Sequence, residues 1–438
     1  MHASVPGRYS QLVDTQKGLV RREIFVDEEV FRDELRQIFG RCWLYLAHES
    51  QVPAKGDYVN VFMGTESVLV CMGRDGKIRA FLNSCRHRGN RVCRADRGNA
   101  STFVCPYHGW SYDLAGKLVG VPGAKELYHG DLDRSQWGLA PVAQVASYKG
   151  LIFGTFDPEA PPLEEYLGDM RWGLDLLLDQ GDLVAVPGTI RWSMACNWKL
   201  AADNGAGDTY HALWTHRSAV LAGHPEGDGV TNDELAIGKH RGFTMVTGYG
   251  HGYNADWLAE NVDMGSPLAA WRRNPDVQRK LGPFRQNVHR ANQNVFPNLF
   301  VNTGSRDLMV RNPISPTKTE TWRTILVDKN ADPEIQRMQI RASNRHFGPG
   351  GMFEQDDGEN FEQCTSAASG AFSQAYPLHY GMGLGHGQVV NDGNSPPRID
   401  SVMNEHAQLW MYRAWAEFMD APSWKHLRQE HSRPEGVL

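Results

Sequence analysis

Two short stretches of this chain hold residues whose types and spacing could bind metals. The first runs from Asp203 to His216 and sets His211 and His216 close behind Asn204 and Asp208. On a helix, residues three and four apart share a face, so Asn204, Asp208 and His211 could be turned toward one point. Neutral imidazole suits iron, and two histidines with one carboxylate leave coordination positions open for oxygen and substrate. Spacing alone does not make this a site. Five residues of regular helix turn through about 500°, which would splay His211 and His216 by about 140° unless the helix ends or distorts between them. A half-buried structural histidine pair is the plain alternative.

The second stretch is Cys85-Arg86-His87 followed, after 17 intervening residues, by Cys105-Pro106-Tyr107-His108. Two cysteines and two histidines in two short loops form a metal-ligand pattern, because four such residues rarely converge for packing reasons. A structural zinc would use the same residue types, but its pairs come more often as Cys-x-x-Cys with paired histidines. One Cys and one His from each loop suits a [2Fe–2S] cluster of Rieske type, in which two histidines replace two cysteines on one iron. Cys93, nearby, falls outside this pattern and reads as an ordinary buried thiol.

The elements that must position these residues follow from the pattern of the chain. With 438 residues there is room for two or three domains. Residues 1–44 read as an arm and a helix capped by Asp27, with Val30, Phe31, Leu35, Ile38 and Phe39 on its apolar side. Over residues 45–155 short alternating runs, one pair joined by Arg74-Asp75-Gly76 as in a hairpin, predict a small all-β domain. Pro161-Pro162 marks the next boundary, and residues 156–438 read as a larger mixed domain. There Leu163 to Leu178 reads as one helix, 217–290 as loops gating a site, and Asn294–Phe300 and Thr321–Val327 as strands flanking a pocket. Residues 402–419, with Trp410, Tyr412 and Trp415, read as an amphipathic helix packed on the core. The fold class is therefore α+β.

Composition narrows the function. Hydrophobic residues make up 41% and charged residues 22%, and 13 Trp with 17 Phe supply an interior that could line an apolar pocket. A net charge of −6 with no Lys/Arg run excludes a nucleic-acid partner. No apolar run is long enough to span a membrane, and the first residues carry no signal-like apolar stretch, which predicts a cytoplasmic protein. An odd count of seven cysteines spread thinly over the chain fits reduced thiols and a metal site. Gly381-Met382-Gly383-Leu384-Gly385-His386-Gly387 has the look of a nucleotide loop, but no strand and opening helix bracket it, so electrons are expected from another protein.

The Cys-x-His and Cys-Pro-Tyr-His-Gly-Trp loops, Trp43 to Ser50, and the Asn204, Asp208, His211, His216 stretch together resemble the catalytic α subunit of Rieske non-haem iron ring-hydroxylating dioxygenases of the naphthalene and biphenyl type. The resemblance implies a Rieske domain beside a catalytic domain of helix-grip (START-like) form, an antiparallel sheet flanked by helices. It implies that Cys85 and Cys105 hold the inner iron of the cluster and His87 and His108 the outer one. His211 and His216 would bind a mononuclear Fe(II), with a third ligand from Phe347 to Asn360: Asp357 by position, with Asp356 as the other candidate. Asp208 would bridge a cluster histidine of one subunit, His108, to His211 of the next. That implies an α trimer, α3 or α3β3 with small β subunits, supplied by a ferredoxin and a reductase.

Relatives commonly carry a bulky pair where this chain has Gly205 and Ala206. The change should enlarge the pocket or be filled from elsewhere, since cores are close-packed. Leu213, Val295, Phe296, Phe347 and Phe353 would complete an apolar lining for an aromatic or polycyclic substrate that reacts with O2. Arg306 or Arg311, if turned inward, would instead suit an aromatic carboxylate such as a phthalate, although an Arg on a strand more often faces solvent. A Rieske monooxygenase or O-demethylase, a Rieske electron carrier and a zinc-stabilised interaction protein are the competing readings.

Overall fold

The computed structural model describes residues 7–221, 240–258 and 264–438. The chain divides into two compact units, Phe39–Leu163 and a second made of Met1–Ile38 with Glu164–Leu438.

The first unit is built of short antiparallel strands. One sheet takes Ile78–Leu82, Glu66–Met72, Asp57–Met63 and Arg97–Asn99 in that order, and a second takes Leu118–Gly120, Ser111–Asp113 and Thr102–Val104. Gly76, at φ +78°, makes the turn between Glu66–Met72 and Ile78–Leu82, where a side chain would strain the backbone. The apolar residues of both sheets, among them Leu69, Phe81, Phe103, Trp110 and Tyr112, form one buried cluster that also encloses Cys85 and Cys105.

The second unit centres on an antiparallel sheet ordered Leu183–Ala185, Lys318–Asp328, Asp307–Ser315, Leu299–Asn302, Val288–Val295, Gly252–Trp257 and Gly242–Val246, with Ile190–Met194 also paired to Lys318–Asp328. Helices pack against it, and the molecule is α+β. Asp27 caps the Glu28–Gln37 helix through the amides of Glu29 and Val30. Glu34 of that helix is fully buried and accepts from Lys199, Trp198 and Trp415, which ties it to the Trp198–Gly205 and His406–Asp420 helices.

The expected single helix from Leu163 to Leu178 is two, Leu163–Leu167 and Met170–Leu178, broken where Gly168 takes φ +46°. The arm is also more ordered than its sequence suggests: Val13–Asp14, Leu19–Val20 and Leu378–His379 form a small sheet. Residues read as gating loops contain the strands Gly242–Val246 and Gly252–Trp257 and the helix Pro275–Arg285. Their Gly, Asn and Tyr content hid the alternation, because polar Asn254 and Thr244 are buried and bonded to one another. Part of that expectation falls on 222–239 and 259–263, outside the described residues. The helix His406–Asp420 is buried on nearly every side, not on one face.

His251 fastens this core. Its Nδ1 accepts from the Phe296 amide and its Nε2 donates to the Tyr166 carbonyl, both at 2.9 Å, which requires the neutral ring. Burial lowers its pKa from 6.5 to about 4. A depressed histidine pKa means that the unfolded chain takes up the proton first, so this contribution is complete above pH 6.5 and disappears as pH falls toward 4. The loss is roughly 3 kcal/mol. The stability gap between the parent protein and His251→Gln, read by denaturant unfolding, should therefore narrow on acidification from pH 7 to 4. A constant gap would contradict this.

Candidate metal centres

The two cysteine loops share one backbone design. Each Cys carbonyl accepts from the amide of a glycine four residues on, Gly89 or Gly109, and each Cys amide donates to the carbonyl five residues on, Asn90 or Trp110. Both glycines sit at positive φ, +73° and +75°, a conformation that folds the loop back so Cys and His point the same way. A Cβ at Gly109 would also lie 2.8 Å from Pro122. Cys85 and Cys105 are buried while His87 and His108 are half-exposed with ring centroids 4.5 Å apart, and the His87 ring stacks on Trp110.

Burial pushes the Cys85 thiol up, with the Tyr112 hydroxyl 3.2 Å from its sulfur. Burial also opposes the Cys105 thiolate, but the Tyr107 amide, Cys85, Asn90 and the His108 amide together bring its pKa below the ordinary value. The buried Nδ1 of His87 has no hydrogen-bond partner, a cost that a metal bond would relieve. Among the described residues these four donors do not close on a single point as they would around one zinc; the only set of three within 4.8 Å of one another is His211, His216 and Asp357. Two thiolates within and two imidazoles toward solvent fit a two-iron cluster. Cys93 is only half-buried, its Sγ 3.7 Å from the Ala95 carbonyl.

The second centre depends on an interrupted helix. The Trp198–Gly205 helix ends at Gly205, the backbone turns at Gly207 with φ +120°, and Asp208 caps a new helix, Thr209–Thr215, by accepting from the His211 amide at 3.0 Å. A Cβ on Gly207 would meet the Asn254 amide at 2.5 Å, so the turn needs glycine. That helix stops at Thr215, just before His216, and this removes the divergence that a regular helix would impose. His211 Nε2 and His216 Nε2 lie 3.1 Å apart, and Asp357 Oδ1 is 3.2 Å from each.

Asp357 sits on a helix, Met352–Ala368. Glu354, Asp357, Gly358 and Phe361 form its buried side, while Met352 is exposed. This phase separates the two aspartates. Asp356 Oδ2 lies 3.4 Å from His216 Nδ1, away from the point where the Nε2 atoms meet, so it orients His216 while Asp357 joins the cluster of donors.

Burial opposes the charged form of Asp357, but the His211 and His216 imidazoles hold its pKa well below the carboxylate range. Burial likewise opposes charged His211, and Asp208 and Asp357 outweigh it and raise its pKa well above 6.5. Asp357 Oδ1 is buried without a well-formed hydrogen bond to either ring. Strong cation affinity at one buried point, from two imidazole nitrogens and a carboxylate oxygen, fits a divalent iron.

The remaining nominated residues separate. Asn204 Nδ2 is 3.3 Å from both ring nitrogens of His211. Asp208 Oδ2 is 3.5 Å from His211 Nδ1. The Phe353 ring lies 4.4 Å from His216, Phe347 stands edge-on to Phe300, and Leu213 is buried on the helix that carries His211. Ala206 packs with Val246, Ala407 and Trp410, and Phe296 stacks on Phe418, so both serve the core beneath the His406–Asp420 helix. Val295 is buried at the end of its strand, in register with Leu299.

Arg311, on the strand Asp307–Ser315, and Arg306, in the turn just before it, are both buried and do not face solvent, because each has a distant buried partner. Arg306 donates to Gln180, and Arg311 donates to Thr321 and, at 2.6 Å, to Glu354. Sequence reasoning passed over Glu354, one helical turn before Asp357, and Phe300.

Residues 42–148 match the family described as Rieske [2Fe-2S] domain, and residues 163–421 match Ring hydroxylating alpha subunit (catalytic domain). A Rieske domain followed by this catalytic domain defines a Rieske non-haem iron oxygenase, which carries a [2Fe–2S] cluster and a mononuclear iron. The chain is 38% identical over 434 residues to biphenyl dioxygenase subunit alpha of Paraburkholderia xenovorans, covering 95% of this chain and 94% of the relative. It is 36% identical to the large oxygenase component of the naphthalene 1,2-dioxygenase system of Pseudomonas aeruginosa, covering 94% of both. A naphthalene 1,2-dioxygenase variant bound to phenanthrene superimposes with a TM-score of 0.89 at 34% identity, over 95% of this chain and 96% of that one. This protein belongs to the α subunits of the aromatic-ring-hydroxylating dioxygenases.

Proposed function

We propose that this chain is the oxygenase component of a multicomponent dioxygenase that cis-dihydroxylates an aromatic or polycyclic hydrocarbon. The observation that carries this reading is the meeting of His211, His216 and Asp357 at one buried point beside Phe353. Cys85 and Cys105 would hold one iron of the Rieske cluster and His87 and His108 the other, and His211, His216 and Asp357 would hold the mononuclear Fe(II). When bound, these groups supply electrons from a ferredoxin and its reductase and the activation of O2 that adds both oxygen atoms to one ring face.

The chain's own residues order this chemistry. Asp208 fixes the ring of His211 through Nδ1 and reaches, in a trimer, toward His108 of a neighbouring subunit; a carboxylate shared by both rings sets their tautomers. Asn204 borders His211, and Asp356 sets the tautomer of His216. Leu213, Phe347 and Phe353 supply an apolar boundary that keeps water from the ring. The assembly is an α trimer, α3 or α3β3, and seven thinly spread cysteines, none of them in a disulfide, support a cytoplasmic location.

A hydrocarbon is favoured over an aromatic carboxylate because the Arg311 charge is already neutralised by Glu354. With a ferredoxin and a reductase supplied, naphthalene or biphenyl should give a diol with kcat/KM exceeding that for phthalate by about 100-fold or more, the cost of burying an unpaired carboxylate. Preferential turnover of phthalate would overturn this choice.

A further inference from the structure

Gly205 ends the helix that carries Asn204, and the space above its backbone is already filled. A Cβ built on Gly205 would stand 2.8 Å from Cδ2 of Phe300, which lies on the strand Leu299–Asn302. The Phe300 ring is held on two further sides. Phe347 meets it edge-on with centroids 5.6 Å apart, and the Arg311 guanidinium, clamped by Glu354, lies 5.8 Å from its centre. Such a ring, only 4% exposed and bounded by glycine, an aromatic edge and a fixed cation, has little freedom to turn. The residues that hold this ring lead to the metal point: Asn204, next to Gly205, lies against His211, and Phe353, six residues after Phe347, lies against His216.

We propose that Phe300 is a specificity-determining residue of this enzyme, the aromatic wall that sets which ring position of a polycyclic substrate faces the His211, His216 and Asp357 point. Gly205 is the residue that admits it, so the wall comes from the sheet and not from the helix. The inference rests on the dioxygenase reading of that point. An offset or edge-on ring contact orients a flat substrate as well as burying it, and a strand in mid-sheet holds that contact more rigidly than a helix end.

The test uses the full chain as Phe300→Ala, Gly205→Phe and the double variant, with phenanthrene as probe. Binding to the oxidised protein, followed by phenanthrene fluorescence, needs no turnover. Phe300→Ala should weaken it about tenfold, the loss expected for one aromatic contact and its buried area. In turnover the same variant should change the ratio of regioisomeric diols at least fivefold while iron content and the visible Rieske spectrum stay unchanged. Gly205→Phe alone should lower Tm through collision with Phe300, and the double variant should recover both Tm and the parent diol ratio. Unaltered phenanthrene affinity in Phe300→Ala, an unaltered diol ratio, or a double variant no better than Gly205→Phe, would overturn the proposal. A parent protein that binds phenanthrene through Phe300 but forms no diol would instead count against the dioxygenase reading.

Discussion

Asp357→Ala protein should fold, keep the visible Rieske spectrum, lose its mononuclear iron and form no diol. Partners that merely orient a ligand are worth about 10- to 100-fold in metal affinity or activity, so a lost ligand should cost more than that. The spared cluster is the informative half of the result. Asp357 is on the Met352–Ala368 helix in one compact unit, while Cys85, His87, Cys105 and His108 belong to the other. Removing Asp357 takes away one of the two carboxylates that favour a charged His211 and leaves Asp208 to hold the ring, so the variant should tolerate the change structurally. Iron analysis beside the visible spectrum checks this. Retained iron and turnover would refute the ligand assignment, and Asp356→Ala serves as the control: only the His216 contact at 3.4 Å is weakened, so iron should remain.

Asp208→Asn should keep both metals and yet slow the reoxidation of the reduced cluster, in the presence of substrate and O2, by about 100-fold or more. Asparagine is the right replacement because Asp208 has two tasks. Its side chain caps the Thr209–Thr215 helix through the His211 amide, and Asn caps a helix about as well as Asp, whereas Ala would cost about 1 kcal/mol and blur the result. The second task, the bridge proposed above, needs a carboxylate that accepts from His211 and from a neighbouring subunit's histidine at once. An amide offers only one acceptor oxygen and cannot serve both rings. Stopped-flow absorbance reads the rate, and reoxidation at the parent rate would remove Asp208 from the electron path.

The sequence was most legible where chemistry dictates residue type at short range. The Cys85 and Cys105 loops declare themselves because ligands, glycine turns and spacing all lie within a few residues. His211 and His216 were legible as candidates, but the helix break that brings them together depends on Gly207 packing against Asn254 from a remote strand. Asp357 was chosen over Asp356 by position in the resemblance, but the physical reason, the phase of the Met352–Ala368 helix, is not legible in that acidic, glycine-containing segment. The buried arginines were misjudged for a similar reason: Arg311 finds Glu354 43 residues away and Arg306 finds Gln180 126 residues away, and no local pattern announces such pairs. Replacement of a missing side chain at Gly205 by Phe300 is likewise visible only once strand and helix are packed together.

The most direct measurement of the central claim is a single turnover of chemically reduced protein with naphthalene or phenanthrene under heavy-isotope dioxygen, which needs no ferredoxin or reductase. Mass spectrometry of the product counts the labels. Two labelled oxygens in one ring diol are the predicted result. A product with a single label, the second oxygen having gone to water, would contradict dioxygenation at the His211, His216 and Asp357 point.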